Sequence, residues 1–191
     1  RSTPKPSSAA SDVYKRQPVY VLHGSKPGPV LGLIEGIHGD ELNGVSVVHH
    51  LIHGDDHIAN TEDDTINREQ LSGTLICVPV VNIEGMLLEQ RGAPDNRDIN
   101  RLFPGKQSGN QSQRIAHALF EGVVSRADYL LDLHSAPHSR TNLPHVRADF
   151  DKKECDGSSN LVSSLGRVPA MLIPYGLQKS CNFTAQSLLA W

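Results

Sequence analysis

Residues 30–53 read VLGLIEGIHGDELNGVSVVHHLIH, and this stretch decides the fold. An apolar run over 30–36 predicts a strand, and it enters a loop bounded by Gly36 and Gly39. From Leu42 the apolar residues recur at Val45, Val48, Leu51 and Ile52, which is helical spacing with one inward stripe. A buried strand, a tight glycine turn and an amphipathic helix form the repeating unit of a sheet covered by helices.

Residues 19–22 predict an earlier strand, with KPGP (26–29) as the turn between the two. Residues 75–81 are nearly all apolar and rich in β-branched side chains, as expected of a strand covered on both faces. Apolar positions Ile115, Ala118, Leu119 and Val123 predict a helix over 111–125, and 129–133 predicts a further strand ending in His134. Beyond it the pattern predicts a helix near 158–165 and a strand near 170–173. The expected class is α/β, with a mostly parallel or mixed central sheet flanked by helices.

The first 17 residues, RSTPKPSSAASDVYKRQ, lack hydrophobic period and are expected to be a non-native or disordered leader, with residues 18–191 forming one domain. They hold four basic residues and one acidic. Removing that net +3 from the chain's −3 leaves −6, an acidic balance that argues against nucleic acid as a partner. No apolar run is long enough to cross a bilayer, and the start has no secretory pattern, so the expectation is a cytoplasmic protein without a membrane partner. Cys77, Cys155 and Cys181 are far apart and form no CxxC pair, which fits a reducing compartment and argues against thiolate ligands.

Ten histidines in 191 residues direct attention to metal chemistry. GIHGDELNG sets His38 and Glu41 three apart, just past the carboxyl end of a strand, where open α/β sheets bind ligands. An HxxE pair alone reads more readily as a helix-start carboxylate beside a surface histidine than as a metal site. DLHSA places His134 at the end of another strand, and a His, Glu, His set is what a catalytic zinc uses while leaving one position for water. Asp132 can orient an imidazole or point away from His134.

The loop RGAPDNRDINRLFPG (91–105) interrupts Arg91, Arg97 and Arg101 with turn formers, so that guanidinium forks are held by a fixed backbone and can match a carboxylate. His49, His50, His53 and His57, beside Asp55 and Asp56, read more simply as a solvated helix end than as a metal site. Ser135 has no nucleophile elbow around it.

HGDE (38–41), DINRLFPG (98–105) and DLHS (132–135), in this order and on these elements, resemble the succinylglutamate desuccinylase and aspartoacylase family, which is related in fold to zinc carboxypeptidases. The resemblance spans about 19–134. It implies one Zn²⁺ held by His38, Glu41 and His134. Asn100 and Arg101 would hold a substrate carboxylate, Arg91 would polarise the scissile carbonyl, and Asp98 would brace the loop. Arg91 lies further upstream of the Asn-Arg pair than in the aspartoacylases proper. The implied reaction is zinc-dependent hydrolysis of an acyl group from a small N-acyl amino acid or similar carboxylate-bearing substrate. A carboxypeptidase-like peptidase and a metal-binding but inactive fragment are the alternatives. The family also uses a glutamate on a later strand as general base. Its aligned position falls at or past Trp191, with Glu154 as the only glutamate after His134, so the fold is expected to be incomplete at the C-terminus.

Overall fold

A computed structural model describes residues 17–54, 65–137 and 140–141, together with strand backbone at 145–148, 170–172 and 181–186. The expected leader, the helix near 158–165, Cys155 and Glu154 lie outside the described residues, apart from Gln17. The elements are β1 (Tyr20–His23), β2 (Lys26–Ile34), α1 (Asn43–His53), β3 (Ser72–Val78), α2 (Ile83–Leu87), α3 (Gln111–Gly122), β4 (Tyr129–His134), β5 (His145–Ala148), β6 (Ala170–Leu172) and β7 (Cys181–Gln186). Among the described residues seven strands lie in the order β1-β3-β2-β4-β7-β5-β6. The sheet is mixed: β3, β2, β4 and β7 run parallel, β1 pairs antiparallel with β3, and β5 antiparallel with β7.

Two boundaries differ from the sequence reading for identifiable reasons. KPGP is not a turn. Residues 26–29 begin β2, whose register against β3 shifts between Lys26 and Val30, and the two prolines sit at that irregular start, where missing N–H groups cost least. At the other side β3 begins at Ser72 and ends at Val78, because Pro79 cannot donate to the ladder although the apolar run continues to Val81.

The strands alternate their side chains between two apolar layers. Ile34, Ile76, Val78 and Leu130 meet Ala116, Leu119 and Val123 from the α3 side. Leu33, Leu75, Cys77 and Leu133 meet Val48, with Leu51 and Ile52 of α1 packed on that layer. Gly32 lies close under the end of α3, where a Cβ would stand 2.7 Å from Leu130 Cδ1 and 3.2 Å from Val123 Cγ1, so those side chains would have to shift to admit one. No helix among the described residues is long and apolar enough to cross a membrane.

Candidate metal centre

Parallel pairing of β2 with β4, Ile34 opposite Asp132, sends both strands out at the same edge of the sheet. Past Ile34 the chain is pinned to the exit of β3: Glu35 N–H donates to Val78 O at 3.0 Å, Val81 N–H to Glu35 O at 3.0 Å, and Asn82 N–H to Gly36 O at 2.8 Å. Gly36 turns the chain at φ 65°. Gly39 lets the loop pass so near α2 that a Cβ would lie 2.0 Å from the carbonyl carbon of Gly85. His38 and Glu41 are thereby carried inward, each 2% exposed.

His134, on the last residue of β4, comes to the same point from the neighbouring strand. The Nδ1 atoms of His38 and His134 are 3.2 Å apart, Glu41 Oε1 is 3.1 Å from His38 Nδ1, and Glu41 Oε2 is 2.9 Å from His134 Nδ1. Two ligands of a tetrahedral zinc at its usual bond lengths stand about 3.3 Å from each other. Among the described residues this is the one group of three or more histidine, cysteine or carboxylate donors within reach of a common ion.

The outer nitrogens of both imidazoles are already occupied. His38 Nε2 meets Asp98 Oδ1 at 3.0 Å, and His134 Nε2 meets Asp132 Oδ2 at 2.9 Å. A carboxylate behind each ring fixes its orientation and commits Nδ1 to the centre, the arrangement that metal-binding histidines use. Asp132 is two residues before His134 on one strand and therefore shares its face, so it turns toward the ring. Asp98 caps a 3₁₀ turn at Ile99–Arg101 by accepting from Asn100 N–H at 3.1 Å, and Ile99 is fully buried beneath it.

Electrostatics follow from this packing. Burial opposes the charged form of His134, but Asp132 and Glu41 outweigh it and push the pKa up to about 10. For His38 burial is again overcome, by Asp98 and Glu41, and its pKa rises. Burial would raise Glu41, but the two imidazoles hold it well below the usual carboxylate range. Hydrogen bonding to His38 is the main cause that brings Asp98 down to about 2. The cluster thus pairs carboxylates with imidazoles whose protonated forms they favour, and a divalent cation can take the protons' place.

The arginine loop is tied to the same cluster. Arg91 donates to Glu41 Oε1 at 2.5 Å and lies 3.7 Å from Asp98 Oδ2, with nearly half its side chain exposed. Arg101 Nε donates to Asp98 Oδ2 at 3.4 Å and is otherwise exposed, as is Asn100. Arg97 is exposed, and its carbonyl accepts from Ala93 N–H. Gly39 N–H reaches Arg91 O at 3.4 Å, linking the loop to the HGDE turn. Arg91, Asn100 and Arg101 therefore stand at the rim of the centre, and the three donors stand beneath them.

Glu35 went unnoticed in the sequence, although a glutamate inside the apolar run LGLIEG breaks the pattern. It is fully buried, with no side-chain hydrogen-bond partner for either carboxylate oxygen among the described residues. A Cβ on Gly44 would stand 2.3 Å from its Oε2. Burial, aided by Asp132, pushes its pKa up to about 9, so it is neutral at neutral pH.

Residues 27–172 match the family model described as the succinylglutamate desuccinylase/aspartoacylase catalytic domain. An N-alpha-acetyl-L-2,4-diaminobutyric acid deacetylase from Halomonas elongata is 29% identical over 131 residues, which is 66% of this chain and 35% of that protein. Among solved structures, a succinylglutamate desuccinylase/aspartoacylase from Rhodobacter sphaeroides superposes with a TM-score of 0.71 at 24% identity, covering 89% of this chain and 51% of the other. An aspartoacylase family protein from Mesorhizobium loti gives 0.70 at 25% identity, covering 89% and 55%. The chain spans about half the length of these solved relatives and about a third of the deacetylase.

Proposed function

The chain belongs to the succinylglutamate desuccinylase/aspartoacylase family, and on that footing we propose that it is the metal-bearing portion of a hydrolase that removes the acyl group from a small N-acyl amino acid. The observation that carries the reading is the convergence of His38, Glu41 and His134, with Asp98 and Asp132 behind the two rings. These three residues would hold one Zn²⁺. When bound, such an ion supplies Lewis acidity and brings the pKa of a water molecule near neutrality.

The chain's own residues then divide the remaining work. Asp98 and Asp132 keep both imidazoles neutral at Nδ1 and aimed inward once the protons have left. Arg101 and Asn100, exposed on the rim, anchor the substrate carboxylate, for which the planar guanidinium offers two parallel donors. Arg91, one hydrogen bond from Glu41, stands nearest the buried donors and polarises the scissile carbonyl, steadying the negative charge that develops there. Proton delivery to the leaving amine falls to the glutamate that the family resemblance places on a later strand, help worth about 10²–10⁴ in rate.

The test is a hydrolysis panel on the natural full-length protein loaded with zinc, comparing N-acyl amino acids with short peptides bearing a free carboxyl terminus. Release of free amino acid from the acyl compounds is expected. Cleavage confined to the peptides would favour a carboxypeptidase-like enzyme, and cleavage of neither would sink the reading. In the same protein Arg101→Lys keeps the charge and loses the fork, so KM should rise roughly tenfold with zinc content unchanged. An unaltered KM for every carboxylate-bearing substrate would show that Arg101 positions something else.

A further inference from the structure

Helix α1 carries two histidines that the metal centre does not use. His49 and His53 are one turn apart on its solvent side, both exposed, while Val48 faces the core and Leu51 and Ile52 pack on it. Residues four apart on a helix stand over one another, and here the two imidazole centroids are 4.8 Å apart at 45°. The ring of His53 also meets Tyr20 edge-on, at 5.3 Å and 79°, and Tyr20 is itself packed on the α1 layer of the core.

We propose that His49 and His53 form a second, solvent-facing site for a divalent transition-metal ion. Two imidazoles sharing one ion at the usual nitrogen–metal length have centroids about 5 Å apart, so the present separation needs little adjustment. Tyr20 restrains one of the two rings before any ion arrives, which lowers the entropy lost on binding. Neutral imidazole selects ions such as Zn²⁺, Ni²⁺ and Cu²⁺ over Mg²⁺ and Ca²⁺, which prefer oxygen. Two exposed ligands leave the remaining positions to water, so the ion is held more weakly than by three buried donors and exchanges readily. It bridges a turn of the helix that starts two residues after Glu41 and would stiffen it. The site stands whether or not the deacylase reading does.

The experiment starts from protein loaded with one equivalent of zinc and titrates it with Ni²⁺ alone by calorimetry, with metal analysis afterwards and circular dichroism to verify folding. One Ni²⁺ per chain should bind without loss of zinc. His49→Gln and His53→Gln should each weaken Ni²⁺ binding at least tenfold, and the pair together should abolish it, whereas His117→Gln on α3 should leave it unchanged. Three results would overturn the proposal: no Ni²⁺ uptake by the parent protein, equal uptake by the double variant, or uptake matched by an equal loss of zinc.

Discussion

At the scale of single residues, the centre depends on side chains that stand behind its three donors. Asp132 holds His134 by its outer nitrogen, so Asp132→Asn keeps the shape but removes the charge that favours an inward-facing Nδ1. Zinc affinity should fall roughly 10–100-fold, as measured by competition with a chromophoric chelator, and an unchanged affinity would show that the ring needs no brace. Glu35 obeys the opposite logic. Its ordinary pKa of 4.5 rises to about 9 in the fold, so the native state holds this proton more tightly than the unfolded chain does. Such a group contributes its full stability below about pH 4.5 and loses it progressively as pH rises through 9. Glu35→Gln is neutral throughout, so its stability relative to wild type should climb between pH 5 and pH 9 in denaturant titrations. A constant difference across that window would show that Glu35 does not titrate as burial dictates. His38, Glu41 and His134 were legible in the sequence because strand ends and glycine turns mark where a sheet exposes chemistry. The braces were only half legible. Asp98 was read as a loop support, and its reach to His38 depends on a fold-back of 60 residues that no local pattern encodes.

At the scale of elements, legibility followed how much of an element's cause is local. Helix α3 is written in its own residues: Asn110 accepts from Gln113 N–H at 3.0 Å, Gln113 returns the bond to Asn110 N–H at 3.2 Å, and Ala116 and Leu119 supply the buried stripe. Asn110→Ala should cost about 1 kcal/mol in chemical denaturation and leave zinc affinity unchanged, because α3 packs on the sheet layer and not on His38, Glu41 or His134. A loss of zinc with the cap would mean that α3 positions the arginine loop more tightly than its packing indicates. Helix α2, five residues long, escaped the sequence reading, since it is organised by Asn82 accepting from Gly85 N–H and not by a hydrophobic period. Strands β5 and β7 escaped it too. Cys181–Gln186 mixes Asn, Thr and Gln with Phe and Ala, and it becomes a strand by lying parallel to β4 over six paired residues. Pairing of this kind is a tertiary cause, and a short polar segment does not announce it.

At the scale of the whole molecule, the centre ties together segments that the chain keeps far apart. His38 follows β2, the arginine loop lies between α2 and α3, and His134 ends β4, with the two imidazoles 96 positions apart in the chain. In the metal-free fold their mutual contacts depend on burying three carboxylates and two imidazoles in ion pairs, where attraction is set against lost hydration. An ion that binds only the assembled set stabilises the fold by mass action, about 2.7 kcal/mol when free zinc is a hundredfold above its dissociation constant. For a chain of this length that corresponds to roughly 5–10 °C in Tm. Zinc-loaded protein should therefore melt higher than protein stripped with a chelator, and restoring one equivalent should recover the difference. His134→Ala should melt at one temperature with or without that equivalent, while His49→Gln/His53→Gln should respond as the parent does, since the exposed pair contributes little at one ion per chain. If the parent's Tm ignores zinc while metal analysis finds the ion bound, then the ion sits where it does not hold β2 and β4 together, and the assignment of His38, Glu41 and His134 as its ligands fails.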